Sequence, residues 1–246
     1  MAEPTVVSDT RVGIKPYRVL SIDGGGIRGL YAACVLRSLM NRYAADGKPL
    51  DIGKGFDLLV GTSTGGIIAA ALAKGIAIQE LVDLYQKEGA KIFKDPLPDG
   101  KWGLFKWSVR NSLKSANENI HLRSLLTKFF DEDSVLDVWN KRKIGLCLTS
   151  VDLLRHTARV FKMPHYKNKN ADNRRKLVDI CLATSAAPIM LPIAKHKDPD
   201  NESRLECFID GGLWANNPIL IGLVEALENS QEGQLSTESK ATLTPN

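Results

Sequence analysis

Three glycine-bounded clusters in this 246-residue chain are equipped for chemistry. Gly61-Thr62-Ser63-Thr64-Gly65 lies between an apolar run, Phe56 to Val60, and an Ala-rich segment, Ile67 to Lys74. A Gly-x-Ser-x-Gly pattern between a strand and a helix places a serine hydroxyl on a sharp turn, where flanking glycines are needed because side chains would clash with neighbouring elements. A serine hydroxyl is nearly inert at neutral pH and needs an adjacent base. His156, His165 and His196 follow it in the chain, but none has a persuasive setting: His156 follows Arg155, His165 adjoins Pro164 and His196 is flanked by lysines. Asp210, by contrast, closes the apolar run Cys207 to Ile209 and is followed by Gly211-Gly212. Its carboxylate should emerge at the C-terminal end of a strand, where open α/β sheets place ligands, and could take the Ser63 proton directly.

The remaining cluster, Asp23-Gly24-Gly25-Gly26-Ile27-Arg28-Gly29, supports two readings. As Gly24-x-Gly26-x-x-Gly29 after a strand and before a helix it fits a dinucleotide fingerprint, which wants an acidic residue ending the next strand; Asp46 and Asp51 lie instead in a Gly/Pro-rich connection. Alternatively, bare backbone N–H groups at a helix start, where the dipole favours negative charge, would hold an oxyanion. That second use requires a nucleophile nearby, which Ser63 supplies. A nucleotide-binding or signalling module using the glycine loop remains the competing reading.

The elements that must position these clusters alternate between strand and helix, which favours a mainly parallel sheet covered by helices. Strands are expected at 17–22, 56–60, 143–150, 158–163 and 207–209, and helices at 29–45, 67–74, 78–90, 122–130 and 174–183. Lys94 to Asn119 interrupts the alternation with Pro96, Pro98, Gly100 and Gly103 among Trp102, Leu104, Phe105 and Trp107. This excursion is either a lid suited to a lipid interface or a loop whose aromatics pin it to the core. The chain divides into an N-terminal arm (1–16), one domain (17–228) and a Ser/Thr/Glu/Gln-rich end (229–246) expected to be a disordered tail or an artificial terminus.

With 43% apolar and 25% charged residues the composition is that of a globular chain rather than a disordered one. No run reaches the roughly 18 apolar residues that span a bilayer, and the polar start lacks a secretory signal, so a cytoplasmic location is expected. Cys34, Cys147, Cys181 and Cys207 sit apart in apolar settings as reduced core residues, and His121, His156, His165 and His196 lack metal-ligand spacing, so no metal and no cofactor are expected. Lys141 to Lys176 holds eleven Lys and Arg against Asp152 and Asp172, a local charge of +9 in a chain of net +5. That stretch is a solvated face, or it attracts anionic headgroups or nucleic acid; no nucleic-acid module is visible.

The glycine loop, the Ser63 turn and Asp210-Gly211-Gly212, in that order, resemble the patatin-like phospholipase family. Ala183-Thr184-Ser185-Ala186-Ala187-Pro188 and Ala215-Asn216-Asn217-Pro218 extend the resemblance, which runs from about residue 18 to 225. It implies a three-layer α/β/α fold and hydrolysis of fatty-acyl esters in phospholipids or related lipids by a Ser-Asp dyad without histidine. Carried over, Ser63 is the nucleophile, Asp210 the general base, Gly24, Gly25 and Gly26 the oxyanion loop, and Arg28 a support for that loop or for substrate charge. The partners it implies are a lipid substrate and, at its periphery, a membrane surface. Family members usually continue through further helices after the position of Asn217-Pro218, so a less complete outer layer is expected here. Some bacterial relatives act in antiphage defence under a cyclic nucleotide, and no residue here decides that role.

Overall fold

The computed structural model describes residues 16–44, 49–92, 106–107, 115, 117–165 and 170–229. At its centre lies helix α2 (Thr64–Lys74), whose residues from Thr64 to Ala73 are all buried. Its alanines favour helix, and a helix apolar on every side belongs inside a core. Gly75, at φ 93°, ends it: a left-handed residue there costs glycine little, and its N–H caps the carbonyls of Ala71 and Leu72. Around it pack α1 (Gly29–Tyr43), α3 (Ile78–Ile92), α4 (Ile120–Phe130), α5 (Val135–Arg142) and α6 (Leu177–Thr184). Ser134 starts α5 with a reciprocal capping box to Asp137.

The sheet is built on β3 (Gly145–Asp152). Strands β1 (Val19–Ile22), β2 (Leu58–Thr62) and β3 run parallel in that order. On its other edge β3 carries the antiparallel β4 (Thr157–Lys162). Beyond the end of β2, β3 pairs antiparallel with β6 (Asn201–Asp210), which in turn carries the antiparallel β5 (Ala194–Asp198). Thus β1, β2, β3 and β5 share one direction, and β4 and β6 oppose it.

One consequence of this register positions the site. Thr62, the last residue of β2, pairs with Thr149, and Asp210, the last residue of β6, pairs with the next residue, Ser150. Thr149 also pairs with Val160 and Ser150 with Arg159 of β4, so β2 and β6 occupy the same edge of β3 and meet there head to head. The C-terminal ends of two strands distant in the chain therefore converge on adjacent residues of a third.

The opposite face of the sheet is thinly covered. Leu58, Val60 and Cys147 form a small second cluster there with Tyr17, Val19 and Ile221. The layer over it, among the described residues, is a helix at 219–229 (α8, after the short α7, Gly212–Ala215), with Gly222 against Val19 and Val60. On α8, Glu225 is 1% exposed and meets both the Lys162 ammonium and His165 Nε2, the latter at 3.0 Å. Burial alone would raise its pKa, but hydrogen bonds from His165 and Lys162 hold it down at about 2. A carboxylate depressed from 4.5 in the folded chain stabilises above that value, and the contribution disappears as pH falls towards 2. Glu225→Ala is expected to cost about 3 kcal/mol by removing the carboxylate that meets the Lys162 ammonium and the His165 ring. Urea titrations should show that loss at pH 7 and a shallower acid dependence between pH 4.5 and 2 than in the parent chain.

Several expected boundaries shift. The last strand is longer than 207–209, beginning at Asn201, and α6 begins at Leu177 rather than Arg174. The edge strand β5 and helices α5 and α8 were not anticipated. In the 94–119 excursion Trp107 is buried and Lys106 exposed, while Trp102, Leu104 and Phe105 lie outside the described residues, as do residues 1–15 of the 1–16 arm and 230–246 of the 229–246 end.

Candidate functional site

Ser63 is the hinge between β2 and α2, with φ 55° and ψ −127°. A non-glycine residue there is strained, and such strain persists only where the surroundings enforce it. Three buried threonines supply that enforcement. Thr184 Oγ1 accepts the Ser63 N–H at 3.0 Å and donates to the Thr149 carbonyl at 2.6 Å. Thr62 Oγ1 donates to the Ala215 carbonyl at 2.6 Å, so in its 2.6 Å contact with Thr149 Oγ1 the Thr149 hydroxyl is the donor. The Ser63 turn, the centre of β3 and the segment after Asp210 are thereby tied into one network. Gly65 is required for close approach: a Cβ there would lie 2.4 Å from the carbonyl oxygens of both Ile22 and Asp23.

Asp210 is brought to Ser63 by the head-to-head strand ends, and the Ser63 hydroxyl is close enough to act on its carboxylate. Its Oδ1 accepts the Gly212 N–H at 2.7 Å. Burial raises its pKa above 3.8, while the Ser63 hydroxyl and the Gly212 N–H act in the opposite direction. Gly211 permits the turn, because a Cβ there would fall 2.5 Å from backbone atoms of Thr149.

The glycine loop lies directly beside this pair: a Cβ on Gly24 would stand 3.3 Å from Ser63 Cβ. The three glycines are not equivalent. The Gly24 N–H is committed to the Asn216 carbonyl at 3.0 Å, which fastens the loop to the segment after Asp210. Gly25 and Gly26 border the cavity in front of Ser63, and their N–H groups make no hydrogen bond among the described residues. Arg28 Nε donates to the Gly25 carbonyl at 3.4 Å and so braces the loop. Thr64, the first residue of α2, borders the same cavity, and its N–H is a further donor at the helix start.

The cavity has a volume of about 570 Å³, within the range of small-molecule sites. Ser63, Asp210 and the glycine loop form its polar end, and Ile67, Leu84, Tyr85, Ile92, Leu122 and Met190 line the rest. Ile27 and Leu213 lie on its border and are 46% and 59% exposed. A hydroxyl beside a carboxylate and uncommitted amides, at the head of an apolar cavity, is an arrangement able to transfer an acyl group bearing a long chain.

The other nominated groups are elsewhere. No histidine lines this cavity; His165 faces Glu225, His196 faces Asp179, and His121 faces Glu88. Donor atoms of Cys147, His165 and Glu225 lie within 4.8 Å of one another, but the Lys162 ammonium already supplies a cation to Glu225. Most of the basic stretch is spent internally: Lys141, Arg142, Arg155, Arg159, Lys162, Arg174, Arg175 and Lys176 each meet a carboxylate. A pyrophosphate in the glycine loop would face Asp210 in the same cavity, which disfavours the dinucleotide reading. Sequence reasoning missed Thr62, Thr149 and Thr184, whose role comes only from contacts across the fold. It also missed the Thr64 N–H, although the residue after the serine is the usual second donor of such a turn.

A family model described as patatin-like phospholipase matches residues 20–223. A cGAMP-activated phospholipase of Pseudomonas aeruginosa is 36% identical over 214 residues, 87% of this chain and 57% of that protein. A cGAMP-activated phospholipase of Vibrio cholerae is 34% identical over 216 residues, 86% of this chain and 58% of that one. Patatin-like protein 4 of Arabidopsis thaliana is 30% identical, over 83% of this chain and 51% of its own length. The chain thus spans between half and three-fifths of the length of these relatives.

Proposed function

This chain belongs to the patatin-like phospholipase family, and from that premise we propose that it is a lipid acyl hydrolase acting through Ser63 and Asp210. The observation that carries the reading is the convergence of the Ser63 hydroxyl and the Asp210 carboxylate at the polar end of an apolar cavity. In the first half-reaction Asp210 takes the proton as Ser63 Oγ attacks the acyl carbonyl. The N–H groups of Gly25, Gly26 and Thr64 receive the developing oxyanion, each such donor contributing about 3 kcal/mol. The C–O bond to the leaving alcohol or lysolipid breaks, and the alcohol oxygen takes the proton from Asp210. Water then gives a proton to Asp210 as its oxygen adds to the acyl carbonyl, the ester bond to Ser63 Oγ breaks, and Asp210 returns the proton to that oxygen, releasing the fatty acid and free Ser63. The apolar wall from Ile67 to Met190 takes the acyl chain. Incubation with a phospholipid dispersion should release fatty acid and lysolipid; intact lipid after prolonged incubation with folded protein would count against the reading.

Within this mechanism Thr184 is a positioning residue, since it holds the Ser63 N–H from behind and does not border the cavity. Thr184→Val would leave the Ser63 N–H and the Thr149 carbonyl without their partner, costing about 1–3 kcal/mol of stability. Displacement of the nucleophile should lower kcat about 100-fold with KM unchanged. Thr184→Ser, which keeps the hydroxyl, should recover most of kcat, whereas an equal loss in both variants would assign Thr184 a packing role alone.

The substrate is met at a lipid surface, through Ile27 and Leu213 at the cavity border. No helix among the described residues is long and apolar enough to cross a membrane. Ile27→Asp together with Leu213→Asp should reduce cosedimentation with phospholipid vesicles several-fold. Hydrolysis of a soluble short-chain ester should persist. The relatives named for activation by cGAMP support a nucleotide-responsive enzyme as an additional element of this function; cGAMP added to the phospholipid assay should then raise the rate.

A further inference from the structure

A third polar side chain stands beside the dyad. Asn216 borders the cavity that Ser63 and Asp210 share, and two glycines fix how near its carboxamide lies to them. A Cβ on Gly24 would be 2.6 Å from Asn216 Oδ1 and 3.3 Å from Ser63 Cβ. One on Gly212 would be 3.4 Å from Asn216 Oδ1 and 3.0 Å from Asp210 Oδ1. A single oxygen atom, with contacts of about 3 Å on each side, is enough to bridge the carboxamide to either partner.

The backbone here is held at three points. The Ala215 carbonyl accepts the Thr62 hydroxyl at 2.6 Å, the Asn216 carbonyl accepts the Gly24 N–H at 3.0 Å, and Asn217 Nδ2 donates to Asp23 at 3.4 Å. The Asn216 side chain is left over: its carboxamide makes no hydrogen bond among the described residues. A fixed backbone carrying an uncommitted polar group beside the reacting atoms is what a preorganised site requires.

Position selects the role. The N–H groups of Gly25, Gly26 and Thr64 are available to the oxyanion, whereas Asn216 lies beside Gly212, whose own N–H binds Asp210. The oxygen that exchanges a proton with Asp210 belongs to the leaving alcohol in the first half-reaction and to water in the second. A carboxamide suits both, since Nδ2 donates and Oδ1 accepts.

We propose that Asn216 is a further catalytic residue, whose carboxamide holds the oxygen that exchanges a proton with Asp210. In acylation Nδ2 donates a hydrogen bond to the alcohol oxygen of the ester. As the C–O bond breaks, its electron pair passes to that oxygen, which takes the proton from Asp210. In deacylation Oδ1 accepts the O–H of water that Asp210 does not take. The proposal rests on the hydrolytic reading and adds to it a contact on the leaving-group side.

The test compares ethyl butyrate with p-nitrophenyl butyrate as substrates of the whole chain. They share one acyl group, but p-nitrophenolate departs without a proton and ethoxide does not. Because kcat/KM covers the steps up to release of the alcohol, deacylation does not enter. Asn216→Ala and Asn216→Leu should lower kcat/KM by at least about tenfold for the ethyl ester and by less than about threefold for the p-nitrophenyl ester. Both variants suit the backbone, at φ −58° and ψ −40°, and keep the carbonyl that holds Gly24. Displacement of the glycine loop, or a role as an oxyanion donor, would slow the two esters alike; that result, or unchanged rates for both, would overturn the proposal. Hydrolysis of both esters by Ser63→Ala at the parent rate would instead overturn the Ser63 reading on which the proposal rests.

Discussion

Ser63→Ala is expected to lower phospholipid hydrolysis by about 10⁴-fold or more while leaving the fold intact, because of the described hydroxyls lining the cavity it is that of Ser63 that acts on the Asp210 carboxylate, while that of Ser185 is donated to the Cys181 carbonyl. The backbone makes this variant informative about stability too. Ser63 is held at φ 55°, ψ −127°, a conformation that costs an L-residue about 1–3 kcal/mol and costs glycine little. Ser63→Gly should therefore be as inactive as Ser63→Ala and more stable, by about 1 kcal/mol in urea titrations. A Ser63→Gly chain less stable than Ser63→Ala would mean that the turn is not strained. Turnover retained in either variant would remove Ser63 from the reaction.

The second large effect is at Asp210. Asp210→Asn keeps the shape and can still accept the Gly212 N–H, but it cannot take a proton from Ser63. A loss of about 10³-fold or more in kcat is expected. Burial raises the Asp210 pKa, so the base is present only above a pH higher than 3.8, and kcat/KM should rise with pH through that raised value. Stability moves in the opposite sense. A carboxyl whose pKa is higher folded than unfolded binds more protons in the folded state, so its contribution is greatest below 3.8 and is lost as pH climbs through the folded pKa. Asp210→Asn should accordingly melt higher than the parent chain at pH 7, although it is inactive. A lower melting temperature, or an acid limb that survives in the variant, would contradict the assignment.

What was legible in the chain was what is local. Ser63 and Asp210 each sit at the end of an apolar strand with glycines beyond, so each could be nominated without knowledge of the fold. Their convergence was not legible, since it depends on β2 and β6 ending on adjacent residues, Thr149 and Ser150, of the same edge of β3. The threonine network was invisible for the same reason: Thr184 reaches Ser63 across 121 positions and Thr62 reaches Ala215 across 153. Strand β5, Ala-Lys-His-Lys-Asp, lacks an apolar face because it is an edge strand, and its polar alternation reads as a loop. Helix α8 shows a different failure. Leu220, Leu223, Val224 and Leu227 recur at helical spacing, yet that stripe is exposed, and the buried face carries Gly222 and Glu225. Periodicity would have chosen the wrong face, because a charged residue is buried there against Lys162 and His165. The glycine run marked a loop before a helix, but the commitment of the Gly24 N–H to Asn216 needs coordinates.

The account stands on a reactive hydroxyl at position 63 activated by a carboxylate rather than an imidazole. Covalent labelling of the whole chain with a fluorophosphonate, followed by peptide mapping, tests this without knowledge of the natural lipid. The expected adduct lies on Ser63 alone, forms at least 100-fold more slowly in Asp210→Asn, and is unchanged in His121→Ala, His156→Ala, His165→Gln and His196→Phe chains that remain folded. An adduct on another residue, or labelling that is lost with a histidine and kept without Asp210, would contradict it.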